Sequence, residues 1–169
     1  MIEILILYTI HKREKTIYSI RKDIMEIFGA YTKPSIGTIH PALQRLLKAG
    51  AVELKENYSD GGKKSSYYSI TDKGLKHFKD CFFNSSSDNP SIFYTELQVK
   101  LGTMGLLEPE ERKKFIAYFL RKIDIFQFEL ENKLNDEFLE LDYFQRNLLN
   151  RTMKEIADLK TYLKNLKVD

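Results

Sequence analysis

A chain of 169 residues, 43% hydrophobic and 30% charged, has material for one ordinary domain or two small ones sharing an interface. Its single cysteine, Cys81, excludes an internal disulfide framework and fits a reducing compartment. Flanked by Phe82 and Phe83, it reads as a buried structural thiol. The net charge is only +3, but residues 1–83 carry 14 Lys and Arg against 9 Asp and Glu, and the remainder 13 against 15, so a polyanionic partner is expected at the first half.

The opening run Ile2–Ile10 is apolar almost all round, which places a short helix in a core or at a subunit interface. It is too short to span a bilayer, is interrupted by Glu3, and has neither a basic leader nor a small-residue cleavage site, so a cytoplasmic protein is expected. The charged turn His11-Lys12-Arg13-Glu14-Lys15 ends this helix. Thr16 can cap a second one, in which Ile17, Ile20, Ile24, Ile27 and Phe28 form a stripe and which Gly29 terminates. Pro34 forces Lys33 out of helical conformation and opens a third helix, with Ser35 as N-cap and Gly50 as the closing glycine.

That third helix has two unlike faces. Ile36, Ile39, Leu43, Leu46 and Leu47 form a stripe to bury, whereas Gly37, Thr38, Pro41, Gln44, Arg45 and Lys48 face the other way. The first half of the outer face carries only small groups, so a partner can come close to the backbone, and cations stand behind them. The helix start, with its free N–H groups and positive dipole end, suits a phosphate.

Ala51 to Tyr58 alternates apolar and polar residues, as in a strand with one buried face, and Ser65 to Ile70 is the return strand. Between them Ser59-Asp60-Gly61-Gly62-Lys63-Lys64 is a flexible turn with two adjacent lysines. Of the neighbours Tyr67 and Tyr68, alternation sends one to the core and one outside. Thr71 then caps another helix through Asp72, Lys73 and Gly74.

Three helices, a hairpin with a basic tip and a fourth helix follow the order of a winged helix-turn-helix. The run Lys33-Pro34-Ser35-Ile36-Gly37-Thr38-Ile39-His40-Pro41-Ala42-Leu43 resembles the recognition helix of the PadR-type transcriptional regulators. Gly50-Ala51-Val52-Glu53, Gly61-Gly62-Lys63-Lys64 with Tyr67-Tyr68, and Ile70-Thr71-Asp72-Lys73-Gly74 extend the resemblance over roughly residues 1–78. Two positions depart from the family pattern: its Gly-Tyr pair early in the second helix is Ile17-Tyr18 here, and the tyrosine before the helix proline is His40.

On this reading Ser35, Gly37, Thr38, His40 and Pro41 enter the major groove, where Thr38 offers a hydroxyl and a methyl and Pro41 an apolar surface for a thymine methyl. Tyr18, Lys33, Arg45 and Lys48 hold phosphates, with ordinary solvated charge as the competing account of Arg45 and Lys48. Lys63 and Lys64 track the backbone or minor groove from the wing.

Beyond the fourth helix, Asn84-Ser85-Ser86-Ser87-Asp88-Asn89-Pro90 reads as a linker. Ile92, Phe93, Leu97, Leu101, Met104, Leu106 and Leu107 then mark a helix loosened by Gly102 and Gly105. A helix starts at Glu108-Pro109-Glu110-Glu111 and carries an apolar stripe from Phe115 to Leu134. A second long amphipathic helix runs from Leu141 to the C-terminus, after a short joint near Asn135 and Asp136. The expected class is mainly α with a small β-hairpin: a winged helix-turn-helix domain over 1–83, a linker over 84–91 and a helical dimerisation module over 92–169.

The resemblance implies a homodimer, built by these terminal helices together with the first helix, that binds a palindromic double-stranded DNA operator as a repressor. Relatives that sense phenolic acids and flat aromatic drugs imply a small aromatic effector, but no residues here single out its pocket. The alternative is a protein–protein adaptor on the same scaffold. No enzyme, cofactor or metal site is expected, since His11, His40 and His77 read as scattered, with no carboxylate or cysteine at ligand spacing and no phosphate-cradling loop or nucleophile elbow.

Overall fold

A computed structural model describes the whole chain apart from residues 59–63, 85, 86, 88, 168 and 169. Its elements run α1 (Ile2–Ile10), α2 (Ile17–Phe28), α3 (Ile36–Lys48), β1 (Val52–Tyr58), β2 (Lys64–Ile70), α4 (Asp72–Asn84), α5 (Pro90–Thr103), α6 (Pro109–Asn135) and α7 (Tyr143–Asn165), with a single 3-10 turn over Met104–Leu106 after α5. Packing divides the chain into two compact units, residues 1–106 and 107–169.

In the first unit α1 is the central element. It touches α2, α3, α4, α5 and β2, and Ile4, Leu5, Ile6, Leu7 and Ile10 are all buried. Of the two places an all-apolar helix can lie, α1 occupies the core of its own chain, where removing five large aliphatic side chains from water is worth about 2 kcal/mol each. The remaining helices each turn one stripe inward: Ile20, Ile24 and Phe28 from α2, Ile39, Ala42, Leu43 and Leu46 from α3, and Phe78 and Phe82 from α4.

Local chemistry sets the helix ends. Thr16 Oγ1 accepts from Ser19 N–H at 3.3 Å to start α2, and Thr71 Oγ1 accepts from Gly74 N–H at 3.0 Å while donating to the Gly50 carbonyl at 2.7 Å. Gly50, at φ +68°, closes α3 in a Schellman motif: Ala51 N–H donates to Leu46 O and Gly50 N–H to Leu47 O. Gly29 caps α2 with a right-handed φ of −61°, so its left-handed freedom is not used there.

β1 and β2 pair antiparallel from Val52–Ile70 to Tyr58–Lys64. Lys15 adds a bridge to Tyr68, exchanging backbone hydrogen bonds at 2.9 and 3.0 Å. The expected buried face of β1 fails beyond its first residue. Val52 is buried, but Leu54 is exposed, because a two-stranded ribbon is covered only at its base, where it meets the helices. Tyr68 points into the core, as alternation allows for one of the pair, but Tyr67 is half-buried and not fully outside. The turn between the strands, including Gly61, Gly62 and Lys63, lies outside the described residues, and Lys64 is the first residue of β2 rather than part of the turn.

The polar stretch 84–91 joins α4 to α5 inside the first unit, where α5 packs on α1 and buries Phe93, Leu97 and Val99. Asn89 Oδ1 caps α5, accepting from Ser91 and Ile92 N–H, so Pro90 is the first helical residue. In the second unit α6 and α7 pack on each other. Their joint is longer than a break at Asn135–Asp136: Asp142 and Gln145 form a capping box, so α7 begins at Tyr143 and Leu141 lies before it.

Candidate nucleic-acid interface

The outer face of α3 carries most of the residues picked out for DNA. Gly37, Thr38, His40, Pro41, Gln44, Arg45 and Lys48 lie on it, while Ile39, Ala42, Leu43 and Leu46 hold the helix to the unit from the opposite side. Ala42 completes that buried face and is absent from the stripe read off the sequence, because an alanine carries little hydrophobic signal. Its small size fits a close packing position. Ile36 and Leu47, counted in the stripe, stand at its margin and are not fully buried.

The N-terminal turn is built by Ser35. Its Oγ accepts from Thr38 N–H at 3.2 Å and lies 3.1 Å from Thr38 Oγ1, so serine and threonine hydroxyls share one exposed pair at the tip of the helix. A Cβ added at Gly37 would meet nothing closer than Ser35 Oγ at 3.5 Å, so glycine is not needed there for folding. It leaves the backbone bare on the outer side. Pro41 stands in the sixth helical position with no N–H to give to the Gly37 carbonyl, yet α3 continues unbroken to Lys48.

The flanking cations differ from one another. Lys33 and Lys48 lie at the two ends of α3, and Tyr18 stands exposed in the first turn of α2. Arg45 Nε donates to Glu3 Oε1 at 2.9 Å, so this guanidinium is tethered to α1 while its side chain stays 61% exposed. Lys64 Nζ lies 2.7 Å from Glu56 Oε1 across the hairpin, a diagonal pair that aligns the two strands. Lys63 lies outside the described residues.

Glu3 holds a second partner. Its Oε2 is 2.8 Å from His77 Nε2 on α4, and that nitrogen is 3.4 Å from Cys81 Sγ. Burial alone would raise the Glu3 carboxyl, but the hydrogen bonds from His77 and Arg45 outweigh it and hold it below the ordinary carboxylate range. Burial and the nearby Glu3 charge push the Cys81 thiol up, as befits a thiol rather than a reactive thiolate. Cys81 is half-buried and not fully enclosed. Sequence reasoning passed over this cluster, although His77 and Cys81 stand four apart on one helix and were therefore legible as a facing pair. Glu3, 74 residues away, was not.

Three helices, the third capped and with a bare outer face, a β-hairpin stitched to Lys15 and a fourth helix together define a winged helix-turn-helix domain. Residues 6–80 match the transcriptional regulator PadR-like family, so the chain carries a PadR-like segment over that stretch. No curated protein matches the sequence. Solved structures similar to the chain include Bacillus subtilis PadR in complex with operator DNA, 18% identical over 96% of this chain and 94% of that one, with a TM-score of 0.48. B. subtilis PadR in complex with p-coumaric acid is 20% identical over 96% of this chain and 91% of that one, at a TM-score of 0.41. The smu.1704 protein of Streptococcus mutans is 32% identical, covering 46% of this chain and 68% of that one, at a TM-score of 0.39. Among the described residues no helix is long and apolar enough to cross a membrane.

Proposed function

We propose that this chain is a sequence-specific, double-stranded-DNA-binding transcriptional regulator that acts as a dimeric repressor. In this reading residues 1–83 read the DNA and residues 92–169 join two copies. The observation that carries it is the outer face of α3 within the PadR-like segment: small residues at the N-terminal half, a hydroxyl pair at the tip and cations behind. Such a face lets a helix approach base edges closely while side chains at its ends hold phosphates. Two copies would place two recognition helices on two half-sites, which explains why a palindromic operator suits it.

Binding to duplex DNA from the protein's own upstream region is expected to fall about a thousandfold or more between about 50 and 200 mM salt. Changing Lys63 and Lys64 together to Ala should flatten the slope of log K against log salt by about 2, one for each phosphate that is no longer neutralised. Salt-independent binding, or none to any duplex, would favour the adaptor reading instead.

The dimer is supported by what α6 and α7 leave uncovered. Phe144 is 79% exposed, Leu148 61% and Phe128 62%, far more apolar surface than a monomeric helical hairpin ordinarily shows. Since Ile4, Leu5, Ile6, Leu7 and Ile10 of α1 are covered within their own unit, the assembly proposed here relies mainly on the terminal helices. Sedimentation at micromolar concentration should give a dimer, and Phe144→Glu combined with Leu148→Glu should give a folded monomer. A dimer that survives both changes would place the interface elsewhere.

A further inference from the structure

Glu3, His77 and Cys81 form the one group of metal-ligating side chains that comes together among the described residues, with ligand atoms all within 4.8 Å of one another. We propose that these three side chains bind a divalent transition-metal ion of the zinc class, a site independent of whether the chain binds DNA.

The donor chemistry fits that class. A carboxylate oxygen, an imidazole nitrogen and a thiolate sulfur make a borderline-soft set suited to Zn²⁺ or Co²⁺ and poor for Mg²⁺ or Ca²⁺, which want oxygen alone. Glu3 and a deprotonated Cys81 would together balance the +2 charge. Two of the three separations are close to what such an ion needs, and the third, Glu3 to Cys81, is within 4.8 Å. Tetrahedral bonds of the usual lengths put ligand atoms about 3.3–3.6 Å apart. Here His77 Nε2 lies 3.4 Å from Cys81 Sγ already, and 2.8 Å from Glu3 Oε2, so the carboxylate has to give by about half an ångström.

The backbone supports the arrangement. His77 and Cys81 are one turn apart on α4, and the packing of α1 on α4 brings Glu3 to them. Three protein ligands leave a fourth position for water, and the Glu3 and His77 side chains are 20% and 35% exposed, so an ion can enter from solvent. Arg45 completes the set from outside. By donating to Oε1 it turns Oε2 towards the imidazole, as hydrogen-bonding partners orient carboxylate ligands in metal sites.

Cobalt(II) is the probe, because a thiolate bound to it gives a sulfur-to-metal charge-transfer band in the near ultraviolet. Titrating Co²⁺ into the reduced, metal-stripped full chain should raise that band to a plateau at one ion per chain, and Zn²⁺ should displace it. Cys81→Ser should remove the band, His77→Ala and Glu3→Gln should each weaken binding at least about tenfold, and Arg45→Ala should weaken it by about ten- to a hundredfold as an outer partner. Failure of the unaltered chain to develop the band overturns the proposal without any variant. So does a band that keeps its strength and affinity in folded His77→Ala and Glu3→Gln proteins, since the thiol would then be acting alone.

Discussion

Thr38→Glu is expected to lower affinity for operator DNA at least about a hundredfold while leaving the fold intact. Thr38 is the third residue of α3, its hydroxyl paired with Ser35 Oγ on the outer face. A carboxylate placed there would face the phosphates of the groove, and like-charge juxtaposition across an interface costs several kcal/mol, each 1.4 kcal/mol being tenfold. The same change is benign for the helix. Serine at the N-cap with glutamate three residues on is a capping box, and a negative charge in the first turn complements the dipole. Binding and melting temperature should therefore part company: electrophoretic or fluorescence titration shows the weakened binding, and circular dichroism shows no drop in stability. If affinity holds within a few-fold, α3 is not the helix that meets DNA.

Gly74→Ala is expected to cost about 3 kcal/mol of unfolding free energy, the upper end of what overpacking a tight site does. A Cβ at this position would come 2.1 Å from the Ala51 carbonyl oxygen and 2.7 Å from Ile70 Cγ1. The obstacle is main chain, not the free end of a side chain. Ala51 is also fixed from both directions, since its N–H closes α3 on Leu46 O and its carbonyl receives Thr71 N–H at 3.2 Å. The close of α3, the base of the hairpin and the start of α4 thus meet at one point with no room for a methyl group. Urea unfolding followed by circular dichroism should show a lower midpoint. A change of less than about 0.5 kcal/mol, the size of an ordinary surface substitution, would mean that the Ala51 peptide can move aside.

The reader was legible where short-range chemistry specifies it. Ser35 and Gly50 mark both ends of α3 by capping alone, Thr16 and Thr71 open α2 and α4, and the alternation at Tyr67 and Tyr68 said that only one of the two rings enters the core, without saying which. Legibility ended where the outcome depends on what lies opposite. The alternation of β1 promised a buried face, but alternation says only which residues share a side, and Leu54 found no layer to cover it. Polarity over 84–91 marked a connection, yet it could not tell that α5 would pack back on α1. The partner of Arg45 was equally out of reach. Nothing near position 45 points to Glu3, which reaches it only because α1 crosses beside α3 and α4 in the folded unit.

Pro41 changes what α3 presents to anything that approaches it. A helix ordinarily shows its surroundings nothing but side chains, since its carbonyls are consumed by amides four residues on. In α3 the amide that should serve the Gly37 carbonyl is missing, and Gly37 has no side chain to stand over it. The outer side of this helix therefore offers main chain as well: a peptide oxygen without its usual i+4 donor, a fixed acceptor that no substitution at Gly37 itself can delete and that returns to the ladder if position 41 regains an N–H.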